Sequence, residues 1–83
     1  MDKAHTTARA WVVFAPDGTV RGADTDCPLK PVQLVPWHRI TRRDRVALLH
    51  AIARDIQEGG ALRATANGWR VERMALVPLP EGR

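Results

Sequence analysis

The chain has 83 residues, 45% of them hydrophobic, and a formal net charge of +4. That length holds one domain, whose small core buries about 60–65% of the unfolded surface. No apolar run is long enough to span a membrane, the first residues lack the apolar segment of a signal peptide, and a single cysteine, Cys27, excludes an internal disulfide, so a cytoplasmic location is expected.

Residues 1–8 read as a flexible N-terminus. Arg9–Ala15 (RAWVVFA) has the β-branched and aromatic composition of a strand. Pro16-Asp17-Gly18 then supplies a turn, and Thr19–Gly22 returns as a second strand. Trp11, Val13 and Ala15 share one face of the first strand; Val12 and Phe14 share the other.

Pro28, Pro31 and Pro36 read as helix breakers, and Pro28-Leu29-Lys30-Pro31 as an extended connector matching only a bare PxxP pattern. Val32–Val35 is a candidate short edge strand, because prolines bracket it without interrupting it.

A helix follows. Thr41 and Asp44 fit a capping box, and Gly59-Gly60 supplies the stop. Val46, Leu49, Ile52, Ala53 and Ile56 recur at helical spacing and are expected to form its buried stripe, opposite Arg43, Ala47, His50 and Arg54. Asn67-Gly68 predicts a second hairpin between strands at 61–66 and 69–72. A two-residue loop pairs Ala66 with Trp69, Thr65 with Arg70, Ala64 with Val71 and Arg63 with Glu72. Leu62, Ala64, Trp69 and Val71 then share a face toward the helix, and Arg63, Thr65, Arg70 and Glu72 line the open one. The shift of apolar phase to Met74 and Leu76 predicts either a bulge near Arg73 or the strand leaving the hairpin.

The predicted order, β-β-(connector)-α-β-β, makes an α+β domain over residues 9–77. A small antiparallel sheet of two hairpins packs against a single α-helix, and residues 78–83 form an extended C-terminal tail. The helix–hairpin order resembles that of a winged helix, but one helix cannot supply a helix-turn-helix, so no DNA-reading function carries over.

Enzymatic chemistry finds little to work with. Asp24, Asp26, Cys27, His38 and His50 are scattered without metal-ligand spacing, and no phosphate-binding glycine loop or nucleophile elbow is present. Nothing sets a base and an orienting group beside Cys27. The expectation is no enzyme, no metal and no cofactor.

Charge is more informative. Residues 39–83 hold nine arginines against five carboxylates, whereas residues 1–38 balance to zero. Arg39, Arg42, Arg43 and Arg45 crowd the helix start, where the helix dipole already disfavours cations, and His50 and Arg54 extend a basic ridge along the helix. Arg45 is awkward for that ridge, because its angle falls within the apolar stripe. Trp11 and Trp69 read as core; Trp37, beside His38 and Arg39, reads either as a plug under the sheet or a staple at the helix start, or as a stacking or docking group. The predominance of arginine over lysine, with abundant alanine, is also what a GC-rich genome produces. Two functions fit. One is an inhibitor or adaptor of phage or mobile-element type, engaging a larger protein complex through Trp37, Arg39, Arg42, Arg43, Arg45, His50 and Arg54, with Arg63 and Arg70 as secondary contacts. The other is direct nucleic-acid binding through the same arginines. Either a monomer or a homodimer fits both.

Overall fold

Strand-forming residues make Arg9–Phe14 the first strand, β1, and the three residues after Ala15 turn it back. Gly18 takes φ +88°, and its N–H donates to the Ala15 carbonyl at 2.8 Å. In this computed structural model, which describes residues 8–60 and 62–77, β2 runs over Val20–Asp24. It is longer than the predicted strand and bulged at Arg21, since Val13 pairs Gly22 while Phe14 pairs Val20. The expected flexible N-terminus up to Thr7, the strand start at Ala61 and the tail 78–83 lie outside the described residues.

The Asp17 carboxylate holds the first turn, accepting from the Thr19 N–H at 3.0 Å and the Thr19 hydroxyl at 2.7 Å. These donors, the hydroxyl first, with Arg21 nearby, pull its pKa below the ordinary 3.8. A lowered folded-state pKa stabilises the fold above the ordinary value, and that contribution fades as pH falls through the folded value. Asp17→Asn is therefore expected to be less stable than the parent at neutral pH. Thermal melts from pH 7 to the acid limit should show the two converging; a constant gap would contradict the charge-assisted turn.

The connector does not stay extended. Lys30–Gln33 forms a short helix, α1, with Pro31 in its first turn, where a missing N–H loses no helical partner. The expected edge strand at Val32–Val35 is thus replaced by a helical turn that buries Val32 and Val35. A Cβ on Gly22 would lie 2.8 Å from the Pro31 carbonyl oxygen, so glycine is what lets α1 rest on β2.

The main helix, α2, spans Arg42–Gln57, and the Thr41 hydroxyl accepts from the Asp44 N–H. The Asp44 carboxylate does not close a capping box; it accepts from the Asn67 amide at 2.9 Å, tying the helix start to the second turn. At the other end Gly59 takes φ +72°. The Gly60 N–H reaches the Asp55 carbonyl and the Gly59 N–H that of Ile56, a Schellman ending.

β3 (Arg63–Ala66) and β4 (Trp69–Ala75) pair in the predicted register, Ala66 with Trp69 through Arg63 with Glu72. Asn67 and Gly68 take the two positive φ values that the tight turn requires. β4 outlasts its partner without a bulge and pairs along β1 from Phe14–Arg70 to Arg9–Ala75. One antiparallel sheet results, in the order β2-β1-β4-β3. The architecture is the expected α+β one, a four-stranded sheet with one main helix, to which α1 is added.

The core between sheet and helices contains Val13, Val71, Trp69, Ala64, Leu48 and Ile52. Trp69 is fully within it, while Trp11 is half-buried at its margin with the Arg73 guanidinium over its ring at 5.4 Å. The buried face of α2 differs from the expected stripe. Ile52 faces inward as expected, but with Arg45 and Leu48 beside it, whereas Val46, Ala53 and Ile56 are exposed and Leu49 is half-buried. Among the described residues no helix is long and apolar enough to cross a membrane.

Candidate functional site

The last carbonyls of a helix lack intrahelical donors, and α1 ends inside the protein with Val32 and Val35 buried. The donor that meets them comes from α2. One terminal nitrogen of Arg45 donates to the Val32 carbonyl at 2.9 Å and to that of Gln33 at 2.8 Å; the other donates to the Val35 carbonyl. Arg45 is 7% exposed. Its expected place on the basic ridge is corrected accordingly. It is a buried clamp between the two helices, because α1's terminus needs a forked cation and the Arg45 angle on α2 points there.

The chain leaving α1 turns at Pro36, whose carbonyl accepts from the Arg39 N–H at 2.8 Å, and Ile40 anchors it in the core. Trp37 stands on this turn. Its ring centroid is 4.1 Å from the Arg45 guanidinium carbon, yet the residue is 69% exposed. It neither plugs the sheet nor enters the core. One face rests on a fixed cation, and most of the residue meets solvent. Leu34, 66% exposed, adds apolar surface on the same segment.

Arg39, Arg42, Arg43, His50 and Arg54 are all exposed. Among the described residues none of these arginines pairs with a carboxylate, and Arg54 forms no ion pair with Glu58. They do not form one ridge. At roughly 100° per residue, Arg43, His50 and Arg54 fall on one strip of α2. Arg42 falls on the next, in line with Val46, Leu49, Ala53 and Ile56, and Arg39 precedes the helix on the Trp37 turn.

The sheet-face arginines are engaged differently. Arg63 Nε lies 3.9 Å from the Glu72 carboxylate, and Arg70 pairs with the same group. The Arg70 guanidinium also lies over Phe14, 4.3 Å from its centroid. Both thus have partners on the open sheet face, while Arg39, Arg42 and Arg43 are exposed to solvent.

Cys27 is half-buried, and its backbone N–H donates to Asp24 Oδ2 at 2.7 Å, as does that of Asp26 at 2.8 Å. Asp24 is thereby occupied in shaping a turn. Among the described residues no group of three or more His, Cys, Asp or Glu side chains is placed to hold a metal ion.

Comparison of the chain with protein-family models, with curated proteins and with solved structures finds no match. Sequence reasoning singled out Trp37 and its basic neighbours but missed Leu34, Val46 and Ile56 as exposed apolar residues. Pro31 carried the signal for α1, since proline is favoured in the first turn of a helix.

Proposed function

We propose that this chain is a non-enzymatic binding module, an inhibitor or adaptor of phage or mobile-element type that docks on an acidic surface of a larger protein complex, nucleic-acid-handling complexes included. The observation that carries the reading is Trp37, which is 69% exposed while one ring face rests on the buried Arg45. Tryptophan and arginine are the residues most enriched where a few contacts dominate an interface. An aromatic group already held in place loses less freedom on binding. Arg39, Arg42 and Arg43 follow within six residues and provide charge for a carboxylate-rich partner.

Direct nucleic-acid binding is the second reading, favoured by the strip of Arg43, His50 and Arg54. The experiment that separates them uses the tagged full chain with Trp37→Ala and Arg42→Ala/Arg43→Ala variants. Capture of protein partners runs beside titration of fluorescent single- and double-stranded oligonucleotides at two salt concentrations. Docking expects a protein partner whose affinity falls about 30-fold or more with Trp37→Ala. Oligonucleotide binding that declines log-linearly with salt and weakens in the arginine variant, without any Trp37-dependent protein partner, would overturn docking in favour of phosphate binding.

A further inference from the structure

Asn67 is the chain's one asparagine, and Gly68 follows it. Asparagine is among the chemically labile side chains, because the next residue's peptide nitrogen can reach its amide carbon. Glycine leaves that nitrogen unshielded by a side chain. Both residues are exposed, at the tip of the turn between β3 and β4. The fold holds the pair from two sides. The Asn67 amide donates to Asp44 Oδ1 of α2 at 2.9 Å, and Gly68 lies so close to Pro16 that an added Cβ would meet the proline ring at 3.2 Å.

We propose that Asn67 is a self-modification site, at which the Gly68 nitrogen attacks the Asn67 side-chain carbonyl carbon and expels ammonia. The bond from Gly68 N to Asn67 Cγ forms and the Cγ–Nδ2 bond breaks. The proton of the Gly68 N–H leaves with Nδ2 in the ammonia. Water then opens the five-membered imide. Addition at Cγ restores the ordinary backbone with an aspartate at 67, whereas addition at the backbone carbonyl leaves an isoaspartate linkage. Water is the only co-reactant.

The native turn restrains this reaction. Attack requires the amide to swing until Cγ faces the Gly68 nitrogen, but Asn67 sits at φ 53° with its amide drawn toward α2. Donation to a carboxylate also leaves the amide carbon less electrophilic. Ring closure therefore runs through a local opening of the turn, which costs less than global unfolding. The products cannot return to the parent contact. An aspartate at 67 sets a carboxylate where the amide donated, so a hydrogen bond to Asp44 becomes a repulsion between like charges. Isoaspartate lengthens the backbone of a turn whose two residues fix the register of β3 on β4. The modification is thus a one-way release of the second hairpin from the start of α2, the segment that carries Arg42 and Arg43.

This inference is independent of the docking reading and needs no partner to test. The full chain is incubated at mildly alkaline pH, with and without denaturing urea. Trypsin then cuts after Arg63 and Arg70, and the mass of the peptide 64–70 reports conversion of amide to acid. Asp17-Gly18, which can form the same kind of imide, lies in a different peptide and changes no mass. The native parent should convert slowly, and urea should speed conversion by about tenfold or more. Asp44→Ala should speed it about threefold, the weight of one exposed hydrogen bond. Asp44→Asn keeps an acceptor oxygen and should stay near the parent rate. Ile52→Val, which loosens the core without touching the turn, should leave the rate unchanged. Asn67→Asp, the product made directly, should melt about 4–8 °C below the parent. Adding Asp44→Asn to it reverses donor and acceptor and should recover at least about half of that loss. No conversion in the native parent over several weeks would overturn the site. A rate equal in parent and Asp44→Ala, an acceleration matched by Ile52→Val, or an Asn67→Asp variant as stable as the parent would overturn the restraint by Asp44 and the release that follows.

Discussion

Arg45→Met is expected to remove about 2–4 kcal/mol of folding stability, from the carbonyls of Gln33 and Val35 that it leaves without a donor at roughly 1–3 kcal/mol each; the Val32 carbonyl keeps the Val35 N–H. Methionine retains an unbranched apolar stem, so the substitution isolates the guanidinium from the packing of its carbon chain. What is lost is the set of donations to Val32, Gln33 and Val35, at the buried terminus of α1. Water cannot replace them without opening the contact between helices. A domain of this size is held by about 4–12 kcal/mol in total, so the variant should sit near the edge of folding. Arg45→Lys should recover less than half of the loss, because one ammonium cannot fork across carbonyls that Arg45 reaches with two nitrogens. Urea denaturation followed by circular dichroism measures both variants. A cost below about 1 kcal/mol for Arg45→Met would mean that α1 ends in solvent.

The same residue explains why the sequence misled about α2. Periodicity counts apolar side chains, and two neighbouring strips of this helix are apolar. Val46, Leu49, Ala53 and Ile56 make the longer one. Leu48 and Ile52 make the shorter one, completed on the buried face by Arg45, which any hydropathy pattern scores as surface. The expected stripe therefore followed the longer strip, with Ile52 alone taken from the shorter one. The sheet chose the shorter, because α1 offers carbonyls to Arg45 there and Asp44 is held to Asn67 at the helix start. Neither contact is visible along the sequence, since each joins residues far apart in the chain.

The second hairpin shows the opposite case. Asn67-Gly68 sets turn type, loop length and hence register by local conformation alone, so every predicted pair from Ala66–Trp69 to Arg63–Glu72 is found. Beyond Glu72 the local rule ends. Met74 and Leu76 shift to the open face, 39% and 46% exposed, while β4 continues regularly along β1. For the candidate site, the adjacency of Trp37 to Arg39, Arg42 and Arg43 was legible because all four lie within seven residues. The support beneath the ring was not, since it depends on where α1 ends.

The phase of α2 has an energetic signature that the two strips make easy to read. Leu48 is fully buried between sheet and helix, and Leu48→Ala should cost about 2–5 kcal/mol, the range for a large core side chain that leaves a cavity. Val46→Ala and Ile56→Ala remove comparable hydrocarbon from exposed positions, and each should cost less than about 1 kcal/mol. A stripe running through Val46 and Ile56 requires the reverse order, so three denaturation curves decide between the two phases.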